Sequence, residues 1–265
     1  MTLASPHAPV SRQQDPARTL GFAGSLLLAA GGLASGALPH GLDLLRPHAT
    51  IGLVTADLGL ALLVAGWWRL GRDLPDHREL LTTLVTWATP LALGAPLFSR
   101  DVYAYLAQGA MVHAGLDVYR QGPADLGGPL AAEVPAVWQH TPTPYGPVFL
   151  LCVAAVAAVA GTHVLAGVLA LRFVALGAVA ALAWLLPRIG ERCGVDPRRA
   201  LWLGVLNPLV LLHLVAGAHN DALMLALLAG GVYAALRGRM LGATALVTAA
   251  ALVKAPAALG LLVVA

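Results

Sequence analysis

Apolar runs constrain this chain more than any other feature. Residues 20–38, 51–70, 80–98, 164–186, 200–216 and 221–237 each form a long, mostly apolar stretch, and another begins near 240. A run of roughly 18 or more such residues is what an α-helix needs to cross the hydrocarbon core of a bilayer. Barrel strands would alternate apolar and polar residues, and these runs do not. The expected fold class is therefore all-α: a polytopic helical membrane protein with seven candidate crossings. Composition agrees, with 58% hydrophobic and only 11% charged residues.

Charge then sets direction. The net charge of +3 is small and offers no footprint for nucleic acid, so the expected partner surface is the lipid bilayer. Arginine so outnumbers lysine that Lys254 is the one lysine, which suggests a GC-rich genome. Short cytoplasmic loops collect basic residues. Arg12 and Arg18 put the N-terminus inside, Arg69, Arg72 and Arg78 put 71–79 inside, and Arg188, Arg192, Arg198 and Arg199 put 187–199 inside. An odd number of crossings must then separate 144 from 187, and that stretch is too short for three. The apolar run 145–161 is therefore expected to dip into the outer leaflet without crossing, which is tolerated where backbone is buried in protein or lines a cavity. By this count 11 basic residues lie inside and three in outer loops, with Arg172 and Lys254 within or at the edges of spans.

The same count makes 1–19 a disordered cytoplasmic tail with no cleavable signal. It makes 20–265 a membrane domain whose outer segment 99–163 carries juxtamembrane helices. The chain stops inside the apolar run GLLVVA, so it is expected to be the N-terminal part of a longer bundle. Cys152 and Cys193 form no redox or metal motif.

Four polar features converge on the outer boundary. In SRDVYAYLAQG, Ser99 can cap a helix with Asp101 in its first turn and Gly115 as its stop. Asp101 there either complements the helix dipole or acts as a general base. Tyr105 and Gln108 follow at helical spacing and offer a polar lining on the same face. In GAHND, Asn220 and Asp221 either cap the next helix or, with His219, line a site. Two carboxylates and an imidazole can hold a divalent ion, but no ligand spacing fixes a metal, and a metal-free site without cofactor is expected. Lys254 either snorkels or offers a cation to a phosphate, as does Arg100. An intramembrane cation costs about 2.5–3.5 kcal/mol on insertion scales. In WQHTPTPYGP, Trp138, His140 and Tyr145 either belong to an interfacial aromatic belt or stack on a sugar. Asp57 and Arg172 are read as structural, with an internal ion pair as one option. Asn207-Pro208 predicts a kink.

The stretches SRDVYAYLAQGAMVHAGLDVY, WQHTPTPYGPVF, GVDPRRALWLGVLNPLVLLHLVAGAHNDALM and LVKAPAAL resemble the actinobacterial polyprenol-phosphate-mannose-dependent α-(1→6)-mannosyltransferases of the MptA/MptB type, in the GT-C class of membrane glycosyltransferases. The resemblance covers residues 80 to 260 and implies a GT-C fold with more spans than this chain holds. It implies a catalytic Asp at position 101 and a second acid at Asp221. It also implies transfer of mannose, with inversion, from polyprenyl-phosphate mannose to the 6-hydroxyl of a lipid-anchored α-(1→6)-mannan, at the outer face of the plasma membrane. The alternatives are a GT-C enzyme for another lipid-linked sugar, a lipid-linked sugar transporter or flippase, and a non-catalytic envelope scaffold.

Overall fold

The computed structural model describes residues 16–264, and every regular element among them is helical. The order is α1 (Pro16–Ser35), α2 (Ala49–Leu70), α3 (His77–Leu93), α4 (Asp101–His113), α5 (Gly128–Ala132), α6 (Ala136–Gln139), α7 (Pro147–Ala160), α8 (Val164–Arg192), α9 (Pro197–Gly204), a wide-turned segment Val210–Ala216, α10 (Asp221–Leu236) and α11 (Met240–Ala251). The expected tail is shortened, because Pro16 to Thr19 already belong to α1. Its earlier part, with Arg12, lies outside the described residues.

Helices α1 and α2 form an antiparallel hairpin built on glycine. On α2 the buried positions are Gly52, Ala56, Gly59, Leu63, Gly66 and Leu70. That is a seven-residue repeat, the spacing that keeps one seam turned toward a partner helix. Gly24 and Gly31 answer from α1. A methyl group on Gly59 would lie 2.6 Å from the Leu28 backbone nitrogen, and one on Gly24 would lie 2.6 Å from the Gly59 carbonyl oxygen. The two backbones touch, and only hydrogen fits between them. Helix α3, capped by Asp76 through the Glu79 N–H, packs on α1 through Trp87. The indole of Trp87 is fully buried and donates to the Arg18 carbonyl.

Three described helices are long and apolar enough to cross a membrane: Pro16–Ser35, the stretch Arg46–Leu70 and Val164–Arg192. Counting the bent pair Val210–Ala216 plus Asp221–Leu236 as one span makes a fourth. The chain is thus a polytopic helical membrane protein, but several expected spans are shorter or broken. The run 80–98 gives only α3. Its helix ends at Leu93, where Gly94-Ala95-Pro96 follows and the residue before a proline is driven out of the helical region. The run 200–216 breaks at 205–207, because Pro208 has no N–H to give and disfavours a helical Asn207. Asn207 bridges the break, its Nδ2 donating to the Leu203 carbonyl and its Oδ1 accepting from the Val210 N–H. The predicted kink is there, and it is a full interruption. Beyond it the chain turns through 112° into α10. Helix α11 stops at Ala251, so the last run is not one helix either. Helix α7 has 14 residues and is about 21 Å long at 1.5 Å per residue, less than the ~30 Å of hydrocarbon. That length fits a segment that does not cross.

Helix α8, with 29 residues, is the longest and packs against α4, α7, α9 and α10. Asp57 and Arg172 do not pair: Asp57 is exposed on α2, and Arg172 is buried on α8.

Candidate active site

The polar residues gather where helices break. Asp101 opens α4 directly after the non-helical stretch from Gly94. The Ser99 hydroxyl accepts from the Asp101 N–H at 3.0 Å. The stop is also as expected: Gly115 has φ +74°, and the N–H groups of Gly115 and Leu116 return to the Val112 and Met111 carbonyls, which closes the helix end. Asp221 opens α10 after Gly217-Ala218-His219-Asn220 in the same way.

His219 joins the two acids. Its Nδ1 lies 3.6 Å from Asp101 Oδ2. Burial holds its imidazole below the usual histidine range, against the pull of Asp101 and Asp221 and with the push of His213 and Lys254. The Lys254 ammonium, held in an extended residue after α11, donates to both oxygens of Asp221 at 3.0 and 2.9 Å. The side chains of Asp101 and Asp221 are each 32% exposed, so neither is lost in the core.

Tyr145 is brought to this cluster by backbone. Gly146 and Val148 donate to the Val253 and Leu252 carbonyls, next to Lys254. A methyl group on Gly146 would lie 2.2 Å from the Leu252 oxygen, so glycine is required for this approach. Tyr145, Tyr105 and Phe149 meet edge-to-face, with ring centroids 5.0–5.4 Å apart. Burial raises the Tyr145 hydroxyl, and Asp101 and Asp221 both add to the rise. Burial pushes Tyr105 further still, assisted by Tyr145 and Asp101. The Tyr105 hydroxyl is buried and has the Tyr145 hydroxyl and the Asn220 backbone as its polar neighbours. Asn220 is 4% exposed, and neither of its amide atoms has a partner. It stands at the cap position of α10, but its side chain does not cap. A buried polar group left unpaired costs about 1–3 kcal/mol, which marks the Asn220 amide as a group awaiting a partner.

Other expected lining residues are committed elsewhere. The Arg100 guanidinium donates to Glu133 Oε2 at 2.8 Å and to the Leu38 carbonyl, and it lies over the Tyr103 ring. It braces the outer segment against the end of α1, with its guanidinium engaged by Glu133 and Leu38. Glu133 is shared with His40, 3.0 Å away. The Gln108 amide accepts from the Thr143 hydroxyl and so anchors the TPTPYG loop. His140 and Trp138 stay exposed beside α6, with no hydrogen bond to the clustered residues.

Three features were not anticipated. His213 stacks edge-on against His219 at 5.6 Å. Phe98 and Ala218 are the non-glycine residues with left-handed backbone among those described, at φ 62° and 49°, and each stands three residues before one of the acids. Such conformations cost of order 1–3 kcal/mol and collect at functional sites. Finally, an apolar groove of about 670 Å³ runs between α2 and the broken helix, lined by Leu60, Val64, Leu209 and Leu212. Its lining also includes Trp67, Phe98 and His213. Trp67 stacks on Trp202 at 4.7 Å, each indole donating to the other's carbonyl. Among the described residues no group of three or more His, Cys, Asp or Glu side chains is gathered to hold a metal ion.

These residues lie inside a match to known sequences. The family model described as alpha-(1→6)-mannopyranosyltransferase, N-terminal domain, matches residues 18–265. Alpha-(1→6)-mannopyranosyltransferase A of Mycobacterium tuberculosis is 39% identical over 263 residues, covering 94% of this chain and 51% of that protein. The probable alpha-(1→6)-mannopyranosyltransferase of Mycolicibacterium smegmatis is 40% identical, covering 83% and 43%. Alpha-(1→6)-mannopyranosyltransferase A of Corynebacterium glutamicum is 38% identical, covering 77% and 44%. The chain spans about half the length of these relatives. No solved structure matches it. With a match over nearly its whole length, the chain belongs to the MptA/MptB family of alpha-(1→6)-mannopyranosyltransferases and corresponds to the N-terminal domain of that family.

Proposed function

We propose that this chain carries the catalytic face of an inverting mannosyltransferase that uses polyprenyl-phosphate mannose as donor and the 6-hydroxyl of a lipid-anchored α-(1→6)-mannan as acceptor. The observation that supports it is the meeting of Asp101, His219, Asp221 and Lys254 at one opening, from three separate chain breaks. Asp101 takes the proton of the acceptor hydroxyl as its oxygen attacks mannose C1. The bond from C1 to the phosphate oxygen breaks, and the configuration at C1 inverts from β to α. The negative charge leaves on the polyprenyl phosphate, where Lys254 stabilises it. Lys254 holds Asp221 in the absence of donor, so a phosphate competes for an ammonium already in place. Asn220 supplies unspent hydrogen-bonding atoms toward the sugar hydroxyls. No cofactor enters this scheme.

The apolar groove that reaches His213 suits the isoprenoid chain of such a donor, with its phosphate end toward the polar cluster. The arginine distribution supports an opening on the outer face of the plasma membrane. Membranes containing the full-length protein, incubated with polyprenyl-phosphate mannose and an α-(1→6)-mannoside, test the reading. Transfer that disappears in Asp101→Asn supports it. Equal transfer in that variant overturns the base assignment, and movement of lipid-linked sugar across the bilayer without transfer identifies a carrier instead.

A further inference from the structure

Arg172 is a buried cation in the longest crossing helix, 5% exposed, and its partners are carbonyls. Its Nη1 donates to Ala92 at 2.8 Å and to Gly94 at 2.6 Å, and its Nη2 donates to Ala216 at 3.2 Å. Its Nε has no partner. A charge at this depth is costly, and a hydrophobic side chain would fill the same space on α8. The location of the three carbonyls explains the arginine. Ala92 and Gly94 are at the end of α3, where the chain leaves the helix toward Phe98 and Asp101. Ala216 is the last residue before the chain turns through Ala218 and His219 to Asp221. Both acid-bearing turns carry a left-handed non-glycine residue, and such residues persist only where their surroundings over-determine them. One planar guanidinium, with donors in a fixed fork, ties the roots of both turns together.

We infer that Arg172 is a positioning residue that sets the separation of the Asp101 and Asp221 turns, holding both breaks in register from the core side. Its three hydrogen bonds go to carbonyls and none to either acid. An ammonium at the same place has three donors, but they radiate from one point and rotate freely, without the fixed fork that holds the carbonyls of α3 and of Ala216 at a set spacing. Lysine therefore keeps the charge and loosens the brace. The consequence for turnover rests on the transferase reading above, whereas the consequence for geometry does not.

The experiment uses the full-length protein with Cys152→Ala and Cys193→Ser, and spin labels on Leu93→Cys and Leu225→Cys, both solvent- or lipid-exposed. Pulsed dipolar spectroscopy is compared for Arg172, Arg172→Lys and Arg172→Gln, alongside mannosyl transfer. The expected result is one narrow distance with arginine and a broadened or shifted distribution in both variants. A fall of tenfold or more in kcat is expected, with the donor KM changed less than threefold. An unchanged distance in Arg172→Lys overturns the inference, and so does a loss confined to KM. Altered distances in a protein that never transfers mannose would keep the brace and discard the transferase reading. If Arg172→Gln fails to fold, Arg172→Lys alone carries the comparison, and a Lys variant that is folded, narrow and active refutes the inference.

Discussion

The α1–α2 hairpin and the segment from Asp101 to Lys254 solve opposite problems with the same apolar vocabulary. In the hairpin the helices run uninterrupted, and glycine on a seven-residue spacing brings them into backbone contact. In the second region the helices stop short. Gly94–Arg100, Val205–Asn207, Gly217–Asn220 and Leu252–Lys254 are all interruptions. In a membrane a freed backbone group must find another partner, so side chains such as Arg172 and Asn207 serve the backbone. One region packs closely because glycine lets two unbroken helices touch. The other gathers polar groups because its helices break.

That contrast can be broken experimentally. The largest effect is expected from Asp101→Asn, which should lower transfer by about 10²- to 10⁴-fold while yield and thermal stability stay close to those of the parent protein. A matching loss of folded protein would mean Asp101 is structural. Gly59→Leu should do the reverse. Forcing a side chain between touching backbones is expected to cost about 2–3 kcal/mol or more, visible as a lower Tm in detergent, with turnover per folded molecule retained. Lys254→Met is expected to reduce kcat about tenfold with a smaller change in stability, since the Asp221 pair is one-third exposed and worth little as a brace. Ala218→Gly should raise stability by up to about 1 kcal/mol by relieving left-handed strain and should lower turnover by loosening the turn before Asp221. The mildest effect is on pH. Burial favours the neutral form of His219, so pH must fall below the ordinary histidine range before it protonates. Transfer should then decline as the imidazolium next to Asp101 draws on the carboxylate. In His219→Asn that acid-side limb should shift, and an unchanged pH profile would remove His219 from the site.

The sequence made the membrane class and the polar ends of the apolar runs legible. Acids and a lone lysine at the ends of apolar runs stand out because burying them there is expensive. Hydropathy could not show that the runs 80–98 and 200–216 break, because an apolar average does not register where a helix loses its hydrogen bonds. Pro96 and Pro208 carried that information. Arg100 and Gln108 looked free in the sequence because their partners, Glu133 and Thr143, stand 33 and 35 residues away. The glycine repeat of α2 was present in plain view as Gly52, Gly59 and Gly66. Its meaning needed the facing glycines of α1. Arg172 was visible as an isolated charge, but nothing local could reveal that it serves three carbonyls on two other elements.

The bonds from Gly146 and Val148 to the carbonyls of Val253 and Leu252 also set a clock. Tyr145 leaves the ribosome about a hundred residues before its anchor exists, a delay of roughly 5–20 s at ordinary rates of synthesis. Until the lysine-bearing segment emerges and docks, the nascent chain holds Asp221 apart from its cation, and an unfinished copy in the membrane lacks a complete polar cluster.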